Sequence, residues 1–99
     1  MIPVKLASKL LKDSGELFLE LGRFGNISVE IYGPKEVDLQ NPHEQDEIYV
    51  IISGFGKFLC EGQIRDFEPG DLIFVPARAE HRFVSFSDDF RTWVIFVGR

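Results

Sequence analysis

The chain has 99 residues, 44% of them hydrophobic and 13% aromatic, with ten phenylalanines and a formal net charge of -5. That length fits one domain spanning 1–99, with a core small enough that a partner subunit would help it. The charge and the lack of any basic cluster disfavour nucleic acid and anionic membrane surfaces. No apolar run approaches the roughly 20 residues needed to cross a bilayer. No signal-peptide core is seen at the N-terminus, and the single Cys60 excludes an internal disulfide, so a cytoplasmic location is expected.

In chain order, residues 4–12 carry apolar groups at helical spacing (Leu6, Ala7, Leu10, Leu11) and stop at Asp13-Ser14-Gly15, which predicts a short helix. The rest reads as strands. Leu17, Leu19 and Leu21 alternate with Phe18 and Glu20, and residues 22–26 are expected to turn the chain. Ile27, Val29 and Ile31 alternate with Ser28, Glu30 and Tyr32, the pattern of a half-buried strand ended by Gly33-Pro34. Further strands are predicted over 47–53, 55–60, 63–67, 71–75, 81–86 and 91–97, separated by glycine, proline and acidic breaks. Many short strands at regular spacing predict an all-β sandwich or barrel.

Two strands are apolar on both faces: 48–52 and 93–97. A strand with one wet face should alternate. A second copy of the chain is the simplest cover for the extra apolar face, which predicts a homodimer.

Two histidines occur, and each lies where a metal site would want it. His43 sits in Asn41-Pro42-His43-Glu44-Gln45-Asp46-Glu47. In an extended segment His43, Gln45 and Glu47 share a face. Glu47 opens an apolar strand, where a carboxylate is costly unless it is paired or bound. His81 opens a later strand, after the 76–80 loop. Two imidazoles and a carboxylate on neighbouring inward faces make a facial set that suits Fe, Mn, Zn, Ni or Co as the divalent metal.

Glu47 followed after six residues by Gly54, and Gly70 followed after five by Pro76 with His81 five further on, resemble the two motifs of the cupin family. The 15 residues between Gly54 and Gly70 resemble the spacer of compact microbial cupins. The resemblance implies a double-stranded β-helix, or jelly-roll barrel, with a short N-terminal helix. It implies metal ligation by His43, Glu47 and His81. Asn41 stands where the first motif's leading histidine is usual, so Asn41 and Gln45 enter as candidate oxygen donors. Arg78 replaces a usual glycine and Ser85 a usual asparagine. Tyr49, Arg78 and Phe83 are candidate lining of a substrate pocket, with Arg78 able to attract an anion. The implied function is a metal-dependent cupin of dioxygenase, isomerase or decarboxylase type, acting on or binding a small molecule. The alternative is a non-catalytic small-ligand or sugar-binding module.

Overall fold

A computed structural model of the protein describes residues 1–98. Helix α1 covers Val4–Ser14 and is followed by eight strands: β1 Phe18–Phe24, β2 Ile27–Tyr32, β3 Asp46–Ser53, β4 Gly56–Cys60, β5 Gln63–Phe67, β6 Leu72–Val75, β7 His81–Phe86 and β8 Arg91–Val97. The strands form two antiparallel sheets, one ordered β1-β2-β8-β3-β6 and the other β5-β4-β7. This is the all-β jelly roll with a short N-terminal helix that the family resemblance implies.

The helix ends at Gly15, whose φ of 74° is the left-handed conformation that glycine adopts without a Cβ penalty. It buries Ala7 and Leu11 against Ile31 on the outer face of β2, with Leu19, Ile52 and Trp93 packed beside them. Leu6 and Leu10 stay exposed. The expected turn at 22–26 is shorter than its residues suggest. Gly22, Arg23 and Phe24 remain in β1, and the register with β2 shifts between Glu20 and Gly22 in a bulge. A bulge absorbs one extra residue without ending the strand, so the glycine marks a kink and the turn itself falls at Gly25-Asn26.

The alternation in β2 is inverted relative to a simple reading. Ile31 faces the helix, and Val29 opens onto the outer surface with Val50, Trp93 and Ile95. Ser28, Glu30 and Tyr32 turn into the barrel. A strand clad on its outside by a helix can place its apolar residues there, which leaves the interior face free to be polar.

The main core lies between the sheets and is strongly aromatic. Phe83 has ring centroids 4.7 Å from Phe58, 5.3 Å from Phe67, 4.7 Å from Phe90 and 4.9 Å from Tyr49. These are edge and tilted contacts of the kind aromatic quadrupoles favour. The glycine after β3 has a steric reason. Gly54 has φ +88°, and a Cβ there would lie 2.6 Å from the Phe90 Cα. Any other residue would push the β3–β4 turn off the core.

Candidate metal centre

The site is assembled from two segments on opposite walls of the barrel. Glu47 is the second residue of β3, and its side chain points inward because its neighbours Asp46 and Ile48 face out. His81 is the first residue of β7. β3 pairs with β6 and β8, whereas β7 pairs with β4. The two therefore meet across the gap between sheets, on inward faces of different sheets. His43 comes from the irregular segment 33–45, just before β3, and not from an extended strand.

That irregular segment is held by specific bonds. The Arg78 backbone N–H donates to the His43 carbonyl at 2.6 Å, and the Ala77 N–H donates to Asp46 Oδ1 at 2.9 Å. The 76–80 loop is thus tied to the His43 segment while its own end positions His81. Arg78 makes this bond with φ at 67°, so the left-handed backbone that suits glycine is kept by an arginine. Within this loop the Ala79 carbonyl lies 2.9 Å from His81 Nδ1. With that carbonyl as acceptor, Nδ1 carries the proton and Nε2 presents its lone pair to the interior.

His81 Nε2 lies 3.1 Å from Glu47 Oε1, and His43 Nε2 lies 3.9 Å from the same oxygen. These approaches are not aligned as hydrogen bonds. His43 Nε2, both carboxylate oxygens of Glu47 and His81 Nε2 are all buried with no hydrogen-bond partner. Glu47 is 1% exposed and His81 4%. Each of the three residues offers a ligand atom within 4.8 Å of the others. Buried polar groups are almost always satisfied, and an orphaned carboxylate is among the costliest exceptions. Four such atoms converging on one point fit a bound cation, and two imidazole nitrogens with a carboxylate suit a divalent first-row metal.

Burial works against a proton on His81, but the approach to Glu47, the Ala79 carbonyl and the charges of Glu47 and Asp38 outweigh it, and the histidine pKa is raised above its ordinary 6.5. Burial first, then the Glu47 charge, hold the Tyr49 phenol well above its usual range. Tyr49 therefore keeps its proton, which it donates to Gln40 Oε1 at 3.0 Å.

Three residues that the sequence reading did not single out build the wall beside this centre. Asp38 is 1% exposed. It accepts from the Tyr32 hydroxyl at 2.6 Å, the Phe83 N–H at 2.9 Å and the Gln40 side-chain amide at 3.0 Å. Gln40 in turn accepts from Tyr49. This network pins the 33–45 segment, and with it His43, to β7. Asp38 and Gln40 lie in a stretch without periodicity, so nothing in the sequence marked them. Tyr32 carried only its place in the alternation of β2.

A cavity of about 350 Å³ opens beside the centre, with His43 on its wall. Gln45, Ser28, Glu30, Gln40 and the aromatic side chains of Phe18, Tyr32 and Phe96 also line it. Of the other candidate residues, Asn41 is exposed. The Arg78 guanidinium pairs with Glu44 at 3.1 Å on the exterior. Tyr49 and Phe83 lie deep in the core, 0% and 1% exposed.

The family model of the cupin domain matches residues 28–97, and the chain belongs to the cupin family. It is 33% identical over 81 residues to an uncharacterized protein of Streptomyces coelicolor, covering 80% of this chain and 77% of that one. Over 49 residues it is 45% identical to acireductone dioxygenase of Bacillus thuringiensis, which covers 44% of this chain but only 29% of the enzyme. Among solved structures, a protein of unknown function from Rhizobium leguminosarum superposes with a TM-score of 0.74 at 17% identity, covering 100% of this chain and 96% of the other. That likeness speaks for the fold.

Proposed function

We propose that this cupin holds one divalent first-row metal on His43, Glu47 and His81 and binds or transforms a small molecule in the adjoining cavity. The observation that carries this is the convergence of four buried, unpartnered ligand atoms from three residues. When bound, such a metal supplies Lewis acidity or, as iron, a centre for oxygen chemistry. The chain's own residues supply the rest. The Ala79 carbonyl fixes the His81 tautomer, the Asp38 network holds the His43 segment, and Tyr49 remains a protonated wall. Gln45 adds a neutral side-chain oxygen on the cavity wall that His43 also lines.

The similarity to part of acireductone dioxygenase supports metal-dependent oxygenase chemistry as the first reading. A second reading, a non-catalytic small-ligand or sugar-binding module, draws on the polar lining of Ser28, Glu30 and Gln45 between aromatic walls. The deciding experiment loads the protein with Fe(II), Mn(II), Zn(II), Ni(II) or Co(II) and counts metal by elemental analysis. About one ion per chain is expected, and none in His81→Ala. Full occupancy in both His43→Ala and His81→Ala would remove the site. Oxygen uptake by the iron form with small keto and hydroxy acids then separates enzyme from binding module.

The homodimer belongs to the same reading. Val29, Val50, Trp93 and Ile95 form a shared apolar surface on the outside of the large sheet, next to Phe24, Met1 and Ile2. Leu72 and Phe74 continue the apolar character along β6, 66% and 55% exposed. The helix covers only the other half of this face. Contiguous apolar area of this kind marks an interaction surface. Sedimentation should give a dimer at micromolar concentration and a monomer or aggregate for Val50→Glu. A stable monomer of the unaltered chain would rule the dimer out.

A further inference from the structure

The inner face of β2 is the part of the barrel that the metal reading leaves unexplained. Glu30 stands directly across from Glu20 on β1 and from Val94 on β8. All three line the cavity that His43 also lines. Like charges directly opposed on a sheet face repel, and the chain answers for only one of them. Arg23 gives its Nε and Nη2 to the two oxygens of Glu20, both at 3.0 Å. Glu30 accepts no hydrogen bond and joins no ion pair among the described residues. It is half-buried. Burial, then the charges of Glu20 and Glu47, raise its carboxyl pKa, and Arg23 offsets this in part. β8 lies between β2 and β3, and through Val94 Glu30 is in register with Tyr49, two residues along from Glu47, so the two glutamate backbones are about 12 Å apart. A molecule of a few carbon atoms spans such a gap. Phe18, Tyr32 and Phe96 line the sides.

Resting on the metal-binding reading of His43, Glu47 and His81, we propose that Glu30 determines specificity at the far end of this cavity. It receives an N–H or O–H donor of the ligand, an ammonium group above all, while the ligand's other end offers oxygen to the metal. The ligand class is a small oxygen chelator with a cationic or hydroxyl tail. A carboxylate tail would meet the unpaired charge of Glu30, because Arg23 on the same wall is already held by Glu20.

The test uses Co(II)-loaded full-length protein and four hydroxamates that share one chelating head. β-Alanine hydroxamate carries an ammonium tail, 3-hydroxypropionohydroxamate a hydroxyl, butyrohydroxamate a methyl and succinic monohydroxamate a carboxylate. Titration of the cobalt visible spectrum should show the ammonium probe binding about 10- to 100-fold more tightly than the methyl probe, the range for one charge-assisted hydrogen bond. The hydroxyl probe should fall between them and the carboxylate probe last. Glu30→Gln should erase the ammonium preference and leave butyrohydroxamate affinity unchanged. A preference that survives Glu30→Gln, or a carboxylate probe that binds best, overturns the proposal.

Failure of cobalt and of the other four metals to load would sink the metal reading alone. The Glu30 proposal is then decided on the metal-free protein, titrated with 3-aminopropanol and with butanol by amide NMR. Shifts at Ser28, Glu30 and Val94 seen with the amine and lost in Glu30→Gln support it. Shifts absent there, or equal for both probes, refute it.

Discussion

Two regions of one barrel interior meet the problem of burial in opposite ways. Along β7, a single residue, Arg82, separates His81 from Phe83. Around Phe83, the rings of Phe58, Phe67 and Phe90 fill the space with apolar contacts and leave nothing unsatisfied. Around His81, four polar atoms are driven together with no partner. The phenylalanine region contributes stability, and the histidine region gives some of it up. Strain of this kind gathers where function lies, which is why the unsatisfied region is the one to test for chemistry.

The largest effect should come from breaking the packed region. Phe83→Ala removes a ring that is 1% exposed at the centre of the aromatic cluster and should cost roughly 3–5 kcal/mol. Chemical denaturation measures it, and a loss below about 1 kcal/mol would show that the cluster is loosely packed.

The opposite result is expected in the histidine region. Replacing Glu47 and His81 together by leucine removes a buried polar pair whose desolvation is not repaid in the metal-free protein. Such replacements are commonly neutral or stabilising by about 1–4 kcal/mol. Metal-free Glu47→Leu/His81→Leu should therefore melt no lower than the parent and should take up no metal. A clear drop in melting temperature without metal would mean that the pair supports the fold by itself.

The smallest effect sharpens the comparison through pH. Because the His81 pKa is raised in the fold, its proton stabilises the metal-free protein. That contribution is full below the ordinary value of 6.5 and is lost as pH rises through the folded value. A metal must displace the same proton. As pH is lowered, metal affinity should therefore begin to fall while the pH is still above 6.5, and decline about tenfold per unit once His81 is protonated. Calorimetric titration across that range checks this. A flat affinity would mean that oxygen ligands alone hold the ion.

Much of this site was legible before any coordinates. His43, Glu47 and His81 stood at motif spacing, and the structure brings their ligand atoms within 4.8 Å. Gly54 was legible as a turn and proves to be a steric necessity against Phe90. Asp38 and Gln40 were not legible. Their partners lie on β2, β3 and β7, and contacts at 45 residues' separation (Asp38 to Phe83) leave no local pattern. Arg78 stood only as a candidate for the pocket lining. Its side chain pairs with Glu44 outside, and its backbone N–H is what holds the His43 segment.

The sequence by itself determined the class of fold, the strand boundaries to within a few residues, the doubly apolar strands and the three ligand candidates. It could do so because alternation, turn residues and motif spacing are local properties of the chain. Only the tertiary structure decided that β3 and β7 oppose each other from different sheets, that a helix covers the apolar face of β2, and that Glu30 therefore turns inward to the cavity. Alternation tells which residues share a face, but which face becomes the inside depends on what packs against the other one.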